Sequence, residues 1–474
     1  MTLLQIAVFT AAAILFRLIT RERWRGWILL GMSVLAIYWL QPATPIRHLD
    51  FWFPTATLIV TLLVWFVTRD TTQIDRKETG IAAGIIAGLI ILIGLSRYFQ
   101  PLCCIIPTRP PVLTGIGIAL AATFVLAFLL RQSGAQKTWP LILGTLVLLA
   151  LFLILKTEPV GTAVSAWLRT IAGQDSSLAA FGDLRWLGFS YVAFRLLHTL
   201  RDRMLGRLPA LSLQEMVNYV IFFPAFVAGP IDRAERFVKN LRQPLPPFPP
   251  DLVEGSRRIV TGIFLKFVLA DALALVALNP ANAVQTTVHG WLWLYLYAYA
   301  LRIYFDFSGY TDVAIGLGRV LGIKLPENFD RPYLKPNLTM FWNSWHMTLA
   351  QWFRTYFFNP LTRALRSGKK KLSPGIIIFL TQLSTMILIG LWHGVTWNFF
   401  IWGAWHGLGL FVHNRWADFA RSHLPQIPEN HWSKLPLRWL GIFLNFQFVS
   451  LGWVWFALPD FSVSWQVFAH LFGA

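Results

Sequence analysis

Charge is scarce in this chain, and negative charge is scarcer. Only 13% of its 474 residues are charged, and 22 acidic residues face 41 basic ones. A soluble globular chain carries about 25% charged residues, so a water-facing surface of ordinary composition is excluded. Cysteine is nearly missing. The two present, Cys103 and Cys104, are adjacent, which excludes a disulfide framework and a CxxC-type zinc site. No residue cluster has recognisable metal-ligand spacing, so no metal is expected. Neither a GxSxG elbow nor a Walker loop occurs, which leaves covalent serine catalysis and nucleotide hydrolysis without support. Internal repeats and soluble-domain boundaries are also lacking.

What fills the chain is apolar. Hydrophobic residues make up 56% of it, with 23 tryptophans. Repeated apolar runs of about 20 residues are transmembrane helices in prospect, and the tryptophans suit interfacial aromatic belts. The expected fold is all-α: a polytopic membrane protein with a bundle of about 11–13 transmembrane helices, some broken or re-entrant. The net charge of +19 does not imply nucleic acid. The basic residues fall in short loops between apolar runs, which is the positive-inside pattern plus attraction to anionic membrane lipids.

In the first half, spans are expected near 3–19, 26–40, 51–68, 80–96, 112–130 and 139–155. The first run lacks a basic n-region and is followed by Arg21, Arg23 and Arg25, so it reads as a span and not a secretory leader. The loops after the first, third and fifth spans are the basic ones, carrying Arg17/Arg21/Arg23/Arg25, Arg69/Arg76/Lys77 and Arg131/Lys137. This predicts an outside N-terminus, with the basic loops in the cytoplasm. The polar stretch 156–185 reads as an external loop with a short helix. The segment 214–230 cannot cross fully without exporting Arg233, Arg236, Lys239 and Arg242. Pro224, Gly229 and Pro230 make it a broken, re-entrant element. Further spans are expected near 259–279, 289–305, 374–391, 396–413 and 436–457, with 338–358 tilted, re-entrant or interfacial. The chain divides into N-terminal helices (1–185), a core (186–457) and a short tail (458–474), within one membrane domain.

Chemistry concentrates between Tyr304 and His406. Taken as one helix, 338–357 places Asn343, His346, Gln351 and Arg354 within an arc of about 140°, opposite Trp342, Trp345, Leu349, Trp352 and Tyr356. His346 then faces a polar strip, as a base, as an orienting donor, or as part of an interfacial helix with a snorkelling arginine. His393 ends an uncharged run, with Gly394 and Trp397 close by. An ionisable group in a membrane segment is a functional-site candidate, and burial there favours the neutral imidazole that accepts a proton. His406 lies about 140° from His393 if one helix runs through both, and reads as structural. Asp306, Ser308, Tyr310, Thr311 and Asp312 follow an apolar span. An aspartate at mid-membrane costs on the order of 3 kcal/mol, so these groups need internal partners. They line a polar cavity, or Asp306 or Ser308 caps a helix over 310–322.

Four stretches carry a resemblance: FFPAFVAGPI at 222–231, YFDFSGYTDVAIGLGRVLGIKLPENFDRPYL at 304–334, FWNSWHMTLAQWFR at 341–354 and LWHG at 391–394. Together they resemble the membrane-bound O-acyltransferase family in its bacterial branch, which includes alginate O-acetyltransferase and teichoic-acid D-alanyltransferase membrane proteins. The likeness covers about 186–415. It implies helices around a thinned centre, with acyl transfer from a cytoplasmic thioester to hydroxyls of an envelope or secreted polysaccharide. The implied donor is acetyl-CoA or an acyl-carrier-protein thioester, with no tightly bound cofactor. A periplasmic acyltransferase partner or a cytoplasmic carrier protein is also implied. The family's two signature histidines map onto His346 and His393, and His393 receives the catalytic role. Asn343 and Ser344 stand where alginate-acetylating members have a basic pair. NSWHMT leans toward the D-alanyl branch and SGYTDVAIGLGR toward the acetylating one, so acetyl and D-alanyl transfer both stay open. A transporter with broken helices is the reading from another class.

Overall fold

The computed structural model describes residues 1–70, 75–99, 108–132, 138–368, 371–424 and 433–473. Cys103, Cys104, Lys137, Lys369 and Lys370 lie outside them. Among the described residues the fold is helical throughout, without strands. It separates into two compact units, 1–260 with 312–326 and 261–311 with 327–474.

The first unit holds α1 (Leu3–Ile19), α2 (Arg25–Leu40), α3 (Leu49–Thr68), α4 (Arg76–Leu95), α5 (Leu113–Gln132), α6 (Trp139–Lys156), α7 (Glu158–Ile171), α8 (Phe189–Met204), α9 (Leu213–Ile221), α10 (Ala234–Arg242) and most of α11 (Phe248–Ile263). The first six match the runs read as spans. Helices α3, α4, α5 and α6 are long and apolar enough to cross a membrane. In α7 the polar face supplies Ser165 and Arg169 to a buried Asp183, at 2.7 and 2.8 Å.

The stretch 214–230 is a broken element. Ser212 opens α9 with a capping box, its hydroxyl taking the Glu215 N–H while the Glu215 carboxylate takes the Ser212 N–H. Nine residues later the helix stops short of Pro224, and a single 3₁₀ turn follows. A helix end leaves carbonyls without intrahelical partners. Arg195 of α8, 1% exposed, supplies them: its guanidinium donates to Val220 O and Ala225 O, both at 2.7 Å. An arginine set among apolar residues of α8 thus holds the break.

Two further arginines fix the proline-rich turn at 243–250. Arg25 donates to the carbonyls of Asn240, Leu241, Gln243 and Gly322, and Arg17 donates to Pro246 O. The basic segment after α1 and the basic 231–258 stretch therefore meet at one end of this unit.

The second unit begins as α11 runs on, through a π-helical stretch Phe264–Ala270, into α12 (Asp271–Ala274), followed by α13 (Pro280–Gln285). Next comes α14, His289–Val320, one helix of 32 residues. This corrects the expectation that a span ends near 305 and a capped helix starts at 310: neither Asp306 nor Ser308 is a cap. Glycine 309 lets the helix pass instead of ending it. A Cβ there would lie 2.7 Å from Gly262 O and 2.8 Å from the Lys266 amide, so α14 and the π stretch touch backbone to backbone.

The segment 338–357 is also not one helix. It is α15 (Leu338–Trp342), a turn, α16 (Met347–Phe353), a π turn Arg354–Phe358 and α17 (Asn359–Ser367). Then come α18 (Pro374–His393), α19 (Trp397–His423), α20 (Lys434–Ala457) and α21 (Phe461–His470). Of these α18 and α20 are membrane-crossing by length and composition. The other expected spans fall on helices that are shorter, more polar or interrupted.

Candidate active site

The site histidines sit in the second unit, each at a break in the helical chain. His346 occupies the left-handed region, φ 42° and ψ 53°, which a residue with a Cβ rarely adopts. Tertiary contacts hold it there. The carbonyl of Asn328 takes the Met347 N–H at 3.0 Å, and Ser344 O takes the Asp330 N–H at 3.0 Å. The Asn328 side-chain oxygen takes both the N–H and the hydroxyl of Thr348, at 3.2 and 2.8 Å.

The same oxygen lies 3.1 Å from His346 Nδ1. Its other partners are donors, so it is an acceptor, and His346 Nδ1 carries the hydrogen. Nε2 is then the bare nitrogen of a neutral ring. His346 is 4% exposed, and among the described residues Nε2 has no hydrogen-bond partner. Phe307 meets the ring edge-on at 4.7 Å. Asn328 is the residue that sequence reading passed over. Its only signal was its place in PENFDRPYL, eighteen residues before the histidine it orients.

The break also undoes the helical projection. Asn343 and Arg354 do meet, at 2.7 Å, but on an exposed surface. His346 is turned away from them into the protein, because the left-handed residue redirects the chain. Trp342, Trp345 and Leu349 are buried. Trp345 packs on Phe341, Tyr333 and Trp453, so these aromatics face protein.

His393 is the last residue of α18, and the chain leaves it in extended backbone at Gly394. The helical hairpin α18–α19 is close because its contact residues are glycines. A Cβ on Gly390 would fall 2.1 Å from Phe399 O, and one on Gly403 would fall 2.5 Å from Met386 O. The half-buried His393 ring is flanked by Trp392 at 4.4 Å, Phe456 at 4.7 Å, and Phe399 and Trp402 at 5.7 Å. Trp392 also packs on His346, with ring centroids 6.2 Å apart. One indole therefore touches both histidines.

Helix α18 ends before His406, so the two do not share a helix. His406 is fully buried on α19, boxed by Trp402 at 5.0 Å, Trp342 at 5.2 Å and Phe448 at 5.9 Å.

The string 306–312 is divided between partners. Asp306 pairs with Lys266 of the π stretch, while Asp312 pairs with Arg258 at 2.6 Å within the first unit. Ser308 and Tyr310 are buried. From this string the residue that reaches His346 is Phe307. Trp397 is 72% exposed, beside Phe400. Among the described residues no group of three or more His, Cys, Asp or Glu side chains is placed to hold a metal.

Comparison with known proteins identifies the family. Residues 136–455 match the membrane-bound O-acyltransferase family. A teichoic acid D-alanyltransferase of Streptococcus thermophilus is 30% identical over 342 residues, which are 69% of this chain and 77% of that protein. A probable alginate O-acetylase of Azotobacter vinelandii is 34% identical over 60% of this chain and 53% of its own length. A peptidoglycan O-acetyltransferase of Helicobacter pylori is 30% identical over 55% and 48%. The chain thus spans about half the length of the two acetylating relatives. It belongs to the membrane-bound O-acyltransferase family: an all-α, polytopic membrane O-acyltransferase.

Proposed function

We propose that this enzyme transfers an acyl group from a cytoplasmic thioester to a hydroxyl of a cell-envelope or secreted polysaccharide, with His393 as general base and His346 as its companion. The observation that carries this reading is the shared indole: Trp392 packs on both histidine rings, and each histidine stands at a chain break.

In this reading an acceptor hydroxyl approaches His393, which is half-buried and so open to a substrate. The hydroxyl oxygen attacks the thioester carbonyl carbon and its proton passes to the imidazole. The tetrahedral adduct then collapses, the C–S bond breaks, and the thiol leaves with the proton returned by the imidazolium. Direct transfer of this kind needs no serine or cysteine nucleophile. His346, with Nδ1–H held by Asn328, offers a bare Nε2 that accepts a hydrogen bond or shuttles a proton. Acetyl-CoA and a carrier-bound thioester both present the same reacting carbonyl.

Acetyl is the leading acyl group because relatives named for acetylation act on two different polymers, alginate and peptidoglycan. D-alanyl transfer is the second reading, favoured by the teichoic acid D-alanyltransferase, which aligns over the larger share of the chain. The proposed location is the bacterial inner membrane, with the N-terminus outside and the basic end of the first unit facing the cytoplasm. A periplasmic acyltransferase partner or a carrier protein completes the proposed pathway. The test uses purified protein in liposomes, given acetyl-CoA or a D-alanyl carrier thioester, with thiol release and acyl-polymer both measured. Thioester consumption without any ion gradient, abolished in His393→Ala, supports the reading. Solute uptake without thioester consumption overturns it in favour of a transporter.

A further inference from the structure

We infer that α7 lies flat in the membrane interface and rests on lipid, with Trp167 and Ile171 reaching the boundary between head groups and acyl chains. By composition the stretch 156–185 reads as an external loop, but its helix is packed with the polar side in. Ser165 and Arg169 are buried against Asp183. Val160, Ala163, Trp167 and Ile171 fall within an arc of about 80°, centred roughly 160° from the face of Gly161, Ser165 and Arg169. All four are exposed, Trp167 by 62% and Ile171 by 65%. A helix on a water-facing surface turns its apolar stripe to the core and its polar face outward. Helix α7 keeps its ion pair inside and an uncharged apolar stripe outside.

The packing of α7 says what meets that stripe. With 14 residues it is about 21 Å long, short of the hydrocarbon core of about 30 Å, so it is not a span. Its inner residues Val164 and Leu168, together with Ile154 and Leu155 of α6, pack on a cluster that includes Leu49 and Phe53 of α3. Ile154 and Leu155 lie in the last turn of α6, and Leu49 and Phe53 lie at the start of α3. Both helices are membrane-crossing by length and composition, so the layer under α7 is the level at which they meet the head groups. Both ends of α7 touch that layer. A Cβ on Gly161 would lie 3.0 Å from Ile154 O. Just past the helix, Gln174 accepts the Arg47 N–H at 2.8 Å and donates to Pro45 O at 3.1 Å, in the segment that leads into α3. The helix therefore lies across these helix ends and does not stand away from them into water.

Lipid is the neighbour continuous with the stripe. Thr157 alone separates α7 from α6, whose Leu149 and Leu153 face outward. Tryptophan is enriched at membrane–water interfaces, and an in-plane helix sinks its apolar face about 5–10 Å into the head-group and acyl boundary. A stable protein interface takes about 20–30 residues a side, and a four-residue stripe falls far short of that.

The experiment places a nitroxide on a single cysteine, Trp167→Cys or Ile171→Cys, in the full chain with Cys103 and Cys104 replaced by serine. The protein is reconstituted in phosphatidylethanolamine and phosphatidylglycerol liposomes with no other protein present, and power-saturation EPR compares oxygen with a water-soluble nickel chelate. Leu149→Cys, on the outward face of membrane-crossing α6, is the lipid reference. The expected result is that oxygen relaxes both labels more than the nickel chelate does, as at Leu149→Cys, at a depth of about 5–10 Å. Stronger relaxation by the nickel chelate at either position puts the stripe in water and overturns the proposal. Labels closed to both reagents, or broadened by a neighbouring label, overturn it in favour of a second copy covering the stripe. If one variant fails to fold, the other decides.

Discussion

The Asn328 side-chain oxygen and His346 Nδ1 stand 3.1 Å apart, and this contact assigns the hydrogen of a buried imidazole. Replacing Asn328 by Ala removes that acceptor and also the bonds it takes from the Thr348 amide and hydroxyl. A buried polar group left unpaired costs about 1–3 kcal/mol. Asn328→Ala should therefore lower the melting temperature and reduce acyl transfer per folded molecule. His346→Ala should abolish or severely impair transfer while the protein still inserts. His346→Asn tolerates the left-handed backbone and should recover part of the activity only if hydrogen bonding is the whole role. Full activity in both His346 variants removes it from the mechanism.

His393→Ala should lose about 10² to 10⁴ in rate, or about 3 to 5 kcal/mol of transition-state stabilisation. Thioester binding should change little, since His393 is assigned to the acceptor hydroxyl. His406→Ala is the control: it empties an aromatic box and should lower stability more than turnover. Transfer rates of folded variants, with donor binding followed separately, check this. A near wild-type rate in His393→Ala beside an inactive but folded His406→Ala moves the base to the other ring.

Gly390→Ala tests whether the α18–α19 approach positions His393. The added methyl would sit 2.1 Å from the Phe399 carbonyl oxygen, and backbone cannot rotate aside as a side chain can. Overpacking of this kind costs about 1–3 kcal/mol. The expected outcome is a lower melting temperature together with reduced transfer. Gly31→Ala, in α2 where a Cβ meets nothing within 4 Å, should be silent.

The Asp183 carboxyl, in the polar segment after α7, gives a pH prediction. Burial alone would push it up, but hydrogen bonds from Arg169 and Ser165 outweigh burial and hold it below its ordinary value. A depressed folded-state pKa contributes stability above the unfolded value of about 3.9, and that contribution is lost as pH falls through the folded value. Melting curves between pH 7 and pH 3 should show this loss. Asp183→Asn leaves Arg169 with a neutral partner, so it should be less stable at pH 7 and less sensitive to acid.

Topology can be read by cysteine labelling. Arg17 and Arg25 tie the segment after α1 to the 240–246 carbonyls, so cysteines placed at Arg23 and Arg236 should label from the same side. The positive-inside rule makes that side cytoplasmic, with position 2 labelled from outside. Opposite-side labelling of Arg23 and Arg236 contradicts the fold of this unit.

Much of the architecture was legible in the chain because lipid leaves the backbone few options. An apolar run of about 20 residues must become a helix to satisfy its own amides, and so α3 through α6, α18 and α20 could be bounded within a few residues. The broken element after α9 was also visible, since Pro224 and the stranded basic residues forbid a full crossing. His346 and His393 stood out as ionisable groups in apolar, aromatic segments.

Tertiary structure decided the rest, where local signals are silent or point the wrong way. The sequence Asn343-Ser-Trp-His346 contains no glycine or proline, so nothing local announces a left-handed residue. Contacts from Asn328 hold it there, and the imidazole is buried against that side chain. Asp306 and Ser308 are residue types that favour caps, yet Lys266 and the bare backbone at Gly309 carry α14 straight through them. Arg195 reads as a misplaced charge until the carbonyls of Val220 and Ala225, 25 and 30 residues away, are brought to it. Hydropathy is a property of short windows and survives in the sequence, whereas a hydrogen-bond partner dozens of residues distant exists only once the chain has folded.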